Sequence, residues 1–243
     1  MRIARFDRKA RNYEAAAAIQ KEAAAALAGW IPRHPHTGGL RAVEVGAGTG
    51  QLTAHLGDWP GTLRVTDVSP EMVAEGKRRF PRADWQVMHA ADIDGAGPWD
   101  WIFSSSLLQW FPDPVEILRH WERSLAPGGH VLCGFFVRGT LAEFESVFGK
   151  PGPVRWFDPG QWRGFFESAG FEVLRAEVSP RQVPFDSARE LMRTLHGTGA
   201  IEPRRTPPGE IRRLWRVYEE RYPGPEGGVQ AGFVSMRVLA RRE

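Results

Sequence analysis

Short apolar runs alternate with longer amphipathic segments over most of the chain. The short runs favour buried strands, and segments with apolar residues three or four positions apart favour helices. Strands are predicted over residues 41–45, 63–66, 84–88, 99–104, 130–137, 171–183 and 229–241. Helices are predicted over residues 9–28, from 70 onward, and over 112–125, 140–148, 159–168, 187–196 and 208–222. This alternation predicts an α/β fold with a doubly wound, mostly parallel sheet and a ligand site at the carboxyl ends of its strands.

Turn and capping residues support these boundaries. Ser69 followed by Pro70 is typical of a helix start, with serine as N-cap and proline at the first helical position. The P-G-G sequence at residues 127–129 predicts a turn before the fifth strand. The two helices predicted between the last two strands, within residues 184–228, are an extra element that we expect to cover the substrate side.

Length and composition fit one domain over residues 1–243. The chain has 243 residues, of which 42% are hydrophobic and 25% charged, enough for a sizeable core. No apolar run approaches the roughly 20 residues of a membrane span. The first residues are charged and amphipathic, unlike a secretory signal. Cys133 is the only cysteine and lies in an apolar run, which favours a buried thiol in a reducing cytoplasm.

The formal net charge is +3. A mild basic excess is compatible with an acidic partner. No basic run carries interleaved aromatic residues, and no zinc or RNA-binding pattern is present, so nucleic acid is not an expected partner. We also expect no membrane association, no metal, and a monomer or a weak dimer.

Residues 43–50, V-E-V-G-A-G-T-G, are the most informative stretch. They predict a buried strand that runs into a glycine turn and a helix, and Asp67 ends the next predicted strand. Glycines let backbone amides approach a ligand, and a helix N-terminus offers unpaired N–H groups. A G-x-G-x-x-G dinucleotide pattern would need a glycine where the chain has Gln51. An acid at the end of the second strand suits a ribose diol. An ordinary tight turn with Asp67 as a helix cap is the alternative.

The E-V-G-A-G-T-G sequence resembles motif I of the class I S-adenosylmethionine (SAM) methyltransferases. The resemblance implies a Rossmann-like sheet of seven strands in which the last strand is antiparallel, and SAM as cofactor. It implies a set of cofactor-binding residues, namely Tyr13, Gln20, Glu44, Gly46, Ala47, Gly48, Asp67, Val68, Met72, Asp92, Ile93 and Ser105.

The resemblance also implies roles for these residues. Gly46, Ala47 and Gly48 would lie under the methionyl part of SAM, where larger side chains would collide with it. Glu44 would order the loop and help to receive the amino group. Asp67 would accept hydrogen bonds from both ribose hydroxyls.

The adenine end would be held by residues that follow the second and third strands. Val68 and Met72 would form one wall and Ile93 the other, and Asp92 would accept from the adenine amino group. Asp94 competes for the role of Asp92, and Met72 could equally be a core residue.

Four segments resemble the malonyl-acyl-carrier-protein O-methyltransferases of biotin synthesis. They are residues 6–14 (F-D-R-K-A-R-N-Y-E), 105–110 (S-S-L-L-Q-W), 139–144 (G-T-L-A-E-F) and 191–200 (L-M-R-T-L-H-G-T-G-A). The family methylates the free carboxylate of malonyl-acyl-carrier protein or malonyl-CoA. A carboxylate is already ionised at neutral pH, with an unperturbed pKa of about 4, so the resemblance implies no catalytic base.

Four residues are the substrate-binding candidates of this resemblance. Gln109 and Trp110 follow the fourth strand, and Arg193 and His196 belong to the predicted cap. Arginine is the natural clamp for a carboxylate. Trp110 could instead be a core residue, and Arg193 could be a solvated helix residue.

The N-terminal segment, residues 1–40, would form a helical lid that brings Tyr13 and Gln20 over SAM, although an ordinary buried face also explains Tyr13. Acyl carrier proteins are acidic, and the predicted cap is rich in arginine. The arginines concerned are Arg204, Arg205, Arg212, Arg213 and Arg216.

Three alternatives remain open at the level of sequence. The acceptor could be another small carboxylic acid, as in trans-aconitate methyltransferases, which share a similar L-L-Q-W segment. A quinone, phenol or amine acceptor would bring a base to the site, for which His120, His130 and His196 are candidates. A non-catalytic SAM-binding regulator is the third.

Overall fold

In the computed structural model, which describes residues 18–31, 39–149, 154–201 and 206–243, seven strands form one sheet. The strands are β1 (Arg41–Val45), β2 (Thr62–Asp67), β3 (Asp84–Val87), β4 (Trp99–Ser105), β5 (Leu125–Phe136), β6 (Phe171–Phe185) and β7 (Val229–Arg242). Their order across the sheet is β3-β2-β1-β4-β5-β7-β6. The strands from β3 to β5 pair in parallel, and β7 is antiparallel to both of its neighbours. The predicted α/β fold, its seven strands and the antiparallel last strand are confirmed.

Seven α-helices lie in the described part of the chain. They are α1 (Ala18–Ala28), α2 (Pro70–Arg79), α3 (Pro114–Ser124), α4 (Ala142–Phe148), α5 (Pro159–Ser168), α6 (Ala188–Thr198) and α7 (Pro208–Arg221). The predicted first helix, residues 9–28, is confirmed from residue 18, and its beginning lies outside the described residues. No helix in these ranges is long and apolar enough to cross a bilayer.

Side-chain caps fix where several helices begin. The Ser69 hydroxyl accepts a hydrogen bond from Met72 N at 3.3 Å, and Pro70 occupies the first helical position. The Ser187 hydroxyl accepts from Glu190 N at 3.2 Å at the start of α6. These bonds satisfy N–H groups that a helix cannot pair internally, which explains why the predicted starts agree with the structure.

The fifth strand differs from its prediction. The sequence predicts a turn at residues 127–129 before the strand, whereas β5 begins at Leu125, directly after α3. Leu125 pairs with Trp99 and His130 with Trp101, so residues 126–129 form a bulge opposite a single residue of β4. Gly128 takes a φ of +73° there, a conformation that favours glycine. The chain therefore does turn at residues 127–129, but this turn is a bulge within β5 and does not precede the strand.

Helices cover both faces of the sheet. On one face, Trp121 of α3 and Trp162 and Phe166 of α5 are buried with alternate residues of β4 and β5. On the other face, Leu27 of α1 packs against Phe103 of β4. This arrangement leaves the carboxyl ends of the parallel strands as an open edge, as the doubly wound fold requires.

A separate cluster attaches the two helices of the predicted cap. Leu191 and Leu195 of α6 and Tyr218 of α7 are buried together with residues of α4 and the first half of β7. The Tyr218 hydroxyl donates to Gln230 O at 2.9 Å. The helices α6 and α7 are thus fixed to the part of β7 that precedes its pairing with β5, which begins at Ser235.

Candidate active site

The glycine turn follows β1 and is closed by backbone contacts. Gly46 and Gly48 have φ angles of +68° and +57°, and Ala47 N donates to Thr66 O of β2 at 2.9 Å. A Cβ atom on Gly46 would lie 2.7 Å from a side-chain carbon of Leu107. Glycine is therefore required at position 46 both by conformation and by the closeness of the loop after β4.

Asp67 joins the turn to the beginning of α2. Gly48 N donates to Asp67 Oδ2 at 2.8 Å, and Ser69 N donates to Asp67 Oδ1 at 2.9 Å. Each carboxylate oxygen can accept more than one hydrogen bond, so a vicinal diol can still be bound. The side chain predicted to hold the ribose is thus held in place by two backbone amides.

Glu44 lies beneath the turn and is almost completely buried. Its Oε2 accepts a hydrogen bond from Thr53 Oγ1 at 2.6 Å. Burial raises the pKa of this carboxyl from 4.5 to about 8, hydrogen bonds with Thr53 oppose that change, and the charge of Asp67 adds to it. A buried acid of this kind is stabilised in its ionised form by a nearby cation.

The residues predicted to hold adenine lie in different environments. Val68 is half-buried, Met72 is 2% exposed, and Ile93 is completely buried in the main core. Asp92 is exposed, whereas the neighbouring Asp94 lies 3.4 Å from His120 Nδ1. Ile93 therefore packs within the core in this structure, and its contact with adenine stays a prediction.

The loop after β4 lies between the glycine turn and a cavity. Ser105 ends β4 opposite Gly134 of β5, and Ser106 has a φ of +58°. Ser106 O accepts hydrogen bonds from Gln109 Nε2 at 2.8 Å and from Trp110 Nε1 at 3.2 Å. One carbonyl thus fixes both residues that the sequence assigns to substrate binding.

The cavity is predominantly apolar, and its empty space, part of which is open to solvent, is about 470 Å³. Its walls come from α1, the loop after β4, the end of β5, the start of α4, the segment before α5, α6 and β7. The residues concerned are Ile19, Gln20, Gln109, Trp110, Phe136, Thr140, Leu141, Val154, Trp156, Thr194, Leu195, Thr198, Ala200 and Phe233. An apolar lining with a few polar groups is typical of small-molecule sites.

The structure brings some of the predicted residues together at this cavity and separates others. Gln20, Gln109 and Trp110 all line it, so Gln20 is placed with the substrate candidates. Arg193 is exposed, and His196 is not among the lining residues.

The position of Arg193 follows from the helical repeat of α6. Leu191, Leu195 and Thr198 share the inward face, and 3.6 residues per turn place position 193 on the opposite face. The structure therefore does not support the prediction that Arg193 clamps a carboxylate in this cavity. Tyr13 lies outside the described residues.

The two other candidate bases lie away from the cavity. His130 stacks on Trp101 at a ring distance of 4.7 Å at the start of the paired part of β5, and burial together with the charge of Arg241 lowers its pKa. His120 lies on α3 beside Asp94. Among the described residues, no group of three or more histidine, cysteine or acidic side chains is placed to hold a metal ion.

Several cavity residues were not predicted from the sequence, including Thr140, Trp156 and Phe233. Thr140 Oγ1 accepts from Val234 N and donates to Val234 O, at 3.0 and 3.1 Å, which attaches the start of α4 to β7. The G-T-L-A-E-F sequence, which contains Thr140, was singled out only because it resembles the family, and that resemblance assigned no role to Thr140. No local pattern indicates that these three residues meet.

Comparisons with known proteins agree with this geometry. A family model described as "Methyltransferase domain" matches residues 43–131, which include the glycine turn and Asp67. The YcgJ protein of Bacillus subtilis has a similar fold, with a TM-score of 0.62 at 13% identity over 90% of this chain and 99% of that one. Magnesium protoporphyrin IX methyltransferase of Synechocystis PCC 6803, solved with bound SAH, has a TM-score of 0.56 at 14% identity over 92% of this chain and 83% of that one.

Sequence relatives extend over most of the chain. A malonyl-[acyl-carrier protein] O-methyltransferase of Paenibacillus sp. (strain JDR-2) is 25% identical over 91% of each chain. The protein of that name from Hahella chejuensis is 30% identical over 88% of this chain and 80% of its own length. A trans-aconitate 2-methyltransferase of Methylobacterium nodulans is 35% identical, but over 41% of this chain and 39% of its own.

Proposed function

The chain belongs to the family of malonyl-[acyl-carrier protein] O-methyltransferases, and from this premise we propose that it transfers a methyl group from SAM to the free carboxylate of a malonyl thioester on acyl carrier protein. A carboxylate oxygen forms the new bond to the methyl carbon while the carbon–sulfur bond of SAM breaks. The products are a malonyl methyl ester and S-adenosylhomocysteine. Methylation removes the negative charge of the malonyl group, as needed for a primer of biotin synthesis that must enter fatty-acid elongation.

The extent of the similarity is the observation that carries this proposal. The malonyl-acyl-carrier-protein relatives match about nine-tenths of the chain, so the similarity includes much of the region from β5 onward that forms the cavity. The match to the trans-aconitate enzyme covers 41% of the chain. A common cofactor site explains a partial match, whereas similarity in both halves favours a common acceptor.

The residues of the glycine turn fit SAM. Gly46 and Gly48 hold positive φ angles and add no side chains to the turn, and Asp67 presents a fixed carboxylate beside it. Glu44 supplies a buried acid that a positive amino group would ionise. When bound, SAM supplies an electrophilic methyl group on a sulfonium.

The remaining task of the protein is to bind and orient the acceptor. A carboxylate is ionised at neutral pH, so the residues at the cavity do not have to remove a proton. The apolar walls exclude water, and the loop of Gln109 and Trp110 places the acceptor beside the glycine turn through Leu107. Catalysis then depends chiefly on positioning and on a dry site.

Acyl carrier protein is the proposed partner because of the charge of α7 and because of the family. Arg212, Arg213 and Arg216 are exposed on α7, while Tyr218 of the same helix is buried. Acyl carrier proteins are acidic, so an arginine-rich face on α7 would steer their encounter. Arg204 and Arg205, predicted to contribute, lie outside the described residues.

The direct test uses purified protein, methyl-labelled SAM and malonyl-acyl-carrier protein, followed by mass spectrometry of the carrier. We expect the carrier to gain the mass of one methylene unit, and base hydrolysis to remove the label. Acetyl-acyl-carrier protein, which has no free carboxylate, is the control and should gain nothing. SAM binding without methylation of the malonyl carrier would contradict the proposal, and trans-aconitate would then be tested. No turnover with any acceptor would indicate a SAM-binding regulator.

Charge reversal tests the docking face. The double substitution Arg212→Glu and Arg213→Glu should lower kcat/KM for malonyl-acyl-carrier protein about tenfold and leave malonyl-CoA within twofold. The salt dependence of the carrier reaction should weaken in parallel. Equal losses on both substrates would show that these arginines do not form a carrier-docking surface.

A further inference from the structure

Some of the unpaired buried polar atoms belong to residues that line the cavity. Six buried side-chain polar atoms lack a hydrogen-bond partner among the described residues. Three of them belong to Ser106, Gln109 and Trp156, and two of these residues line the cavity. Buried polar groups are almost always paired, and each exception calls for an explanation. A cluster of such exceptions at a cavity indicates groups that a ligand would satisfy.

Gln109 has one atom available. Its Nε2 donates to Ser106 O at 2.8 Å, which fixes the orientation of the amide, and its Oε1 has no partner. The residue is 4% exposed. Gln109 is therefore a buried hydrogen-bond acceptor whose own donor is used to hold the loop.

Trp156 provides the complementary donor. It lies between Val154 and Phe157, which are both buried, and its Nε1 has no partner. The indole N–H groups of Trp99 and Trp121 pair with backbone carbonyls, donating to Ile93 O at 3.1 Å and to Ala90 O at 2.9 Å, whereas those of Trp162 and Trp215, which do not line the cavity, are also unpaired. An indole nitrogen can only donate, so Trp156 requires an acceptor.

A neutral acceptor and a neutral donor at one apolar cavity match a particular part of the substrate. In a malonyl group on a phosphopantetheine arm, the thioester carbonyl can accept one hydrogen bond. The first amide of the arm, a few bonds away, can donate one. The malonyl carboxylate itself has no proton to give to Gln109 Oε1.

We propose that Trp156 Nε1 donates to the thioester carbonyl oxygen of the acceptor and that Gln109 Oε1 accepts from the first amide N–H of its pantetheine arm. This inference rests on the proposed function, and it concerns the thioester and the amide of the acceptor, not the carboxylate for which the sequence predicted Arg193. Phe136 and Phe233 complete an apolar wall around the same cavity. The pair therefore recognises a thioester followed by an amide, which a free dicarboxylic acid does not contain.

Two small acceptors separate the two contacts. Malonyl-N-acetylcysteamine contains the thioester and the amide, whereas the mono-S-ethyl thioester of malonate lacks the amide. Neither compound depends on carrier docking. For the unaltered protein we expect kcat/KM to be about tenfold higher for the first compound, since one buried hydrogen bond is lost with the second.

Variants of Gln109 and Trp156 should change the kcat/KM values of the two compounds in different ways. Gln109→Leu should abolish this preference, so that the ratio of the two kcat/KM values falls to about one. Trp156→Phe should lower both values about tenfold and leave their ratio unchanged, because both compounds contain the thioester carbonyl. Trp215→Phe is the matched control, since it also removes an unpaired buried indole N–H, but outside the cavity lining. It should leave both values within twofold.

Thermal unfolding and the Kd for SAM should remain close to those of the unaltered protein in all three variants, which separates recognition from folding. An unchanged preference in Gln109→Leu, or equal effects of Trp156→Phe and Trp215→Phe, would overturn the proposal. Failure of the unaltered protein to methylate either compound or the malonyl carrier would instead contradict the proposed function and the inference with it. Methylation of both compounds at equal rates would overturn the inference alone.

Discussion

The polar groups of the glycine turn and those of the cavity beside α6 differ in whether they have hydrogen-bond partners within the protein. At the turn, both oxygens of Asp67 and the carboxyl of Glu44 have partners within the protein. At the cavity, Gln109 Oε1 and Trp156 Nε1 have none among the described residues. The turn is a preorganised surface in which the protein already holds the ligand-binding groups, whereas the cavity leaves part of its hydrogen bonding to the acceptor. The difference suggests that affinity for SAM depends on fixed geometry and that selection of the acceptor depends on completing unpaired groups.

The strongest way to disrupt the preorganised turn is Asp67→Ala. The substitution removes the predicted ribose contact and the anchor of Gly48 N, so we expect the Kd for SAM to rise about a hundredfold. Isothermal titration calorimetry measures this change directly. Asp84→Ala is the control, because Asp84 forms an exposed ion pair with Arg64 at the start of β3. A Kd within threefold of the unaltered protein for Asp67→Ala would contradict the assignment of the turn to SAM.

Glu44→Gln tests whether the buried acid destabilises the protein without a ligand. The folded-state pKa of about 8 lies above the value of 4.5 expected after unfolding. The unfolded state therefore loses its proton first as the pH rises, and the free energy of unfolding should fall between about pH 5 and pH 8. The substitution should remove this dependence and stabilise the protein at pH 8 by about 4 kcal/mol.

Chemical denaturation of both proteins at pH 5 and pH 8 checks this expectation. Parallel pH profiles would contradict it. A second readout is proton release: SAM carries a positive amino group, so its binding near pH 7 should release a proton from the unaltered protein and less from Glu44→Gln. Calorimetry in buffers of different ionisation enthalpy measures the number of protons released.

Asp92 and Asp94 offer a smaller test of the cofactor half. Asp92 is exposed beside buried Ile93, whereas Asp94 faces His120. We expect Asp92→Asn to weaken SAM binding about tenfold and Asp94→Asn to change it less than twofold. A larger loss of SAM affinity in Asp94→Asn than in Asp92→Asn would indicate that Asp94, not Asp92, contacts adenine.

The smallest effect is expected at Arg193. The side chain is exposed on the face of α6 opposite Leu191 and Leu195, so Arg193→Ala should change kcat/KM for malonyl-CoA less than twofold. Thr194→Val, at the next position and within the cavity lining, should have the larger effect on KM. A tenfold loss of kcat/KM in Arg193→Ala would instead support the sequence prediction that Arg193 binds the carboxylate.

The two regions also differ in how far the sequence predicts them. The turn is local: Glu44, Gly48, Thr53, Asp67 and Ser69 lie within 26 consecutive positions, and the hydrogen bonds described above join them to one another. Glycines, a buried strand and an acid at a fixed spacing leave a recognisable pattern there. The seven-stranded sheet and the antiparallel β7 followed from the family resemblance, and the helix starts followed from their caps, whereas the strand order came only from the structure.

The cavity is non-local. Gln20, Trp156 and Phe233 come from three distant parts of the chain, and only the folded sheet brings them together. Gln109 and Trp110 line the cavity because they follow the end of β4, and their contact with a substrate stays a prediction. Arg193 is not among the lining residues, because a family segment does not show which face of a helix each residue occupies. The helical repeat of α6 decides that question once Leu191 and Leu195 are known to be buried.

The position of β7 has a consequence for how the protein is made. β7 pairs with β5 on one side and with β6 on the other, yet the ribosome synthesises it after both of them. The glycine turn and strands β1 to β5 can assemble while the chain is still emerging, because domains begin to fold from their N-terminal parts during synthesis. The long strand β6 has no place in the sheet until residues 229–242 arrive. During translation the nascent protein would therefore form the glycine turn before it has an acceptor site. Until β7 is made, β6 would stay an unpaired strand that chaperones can recognise.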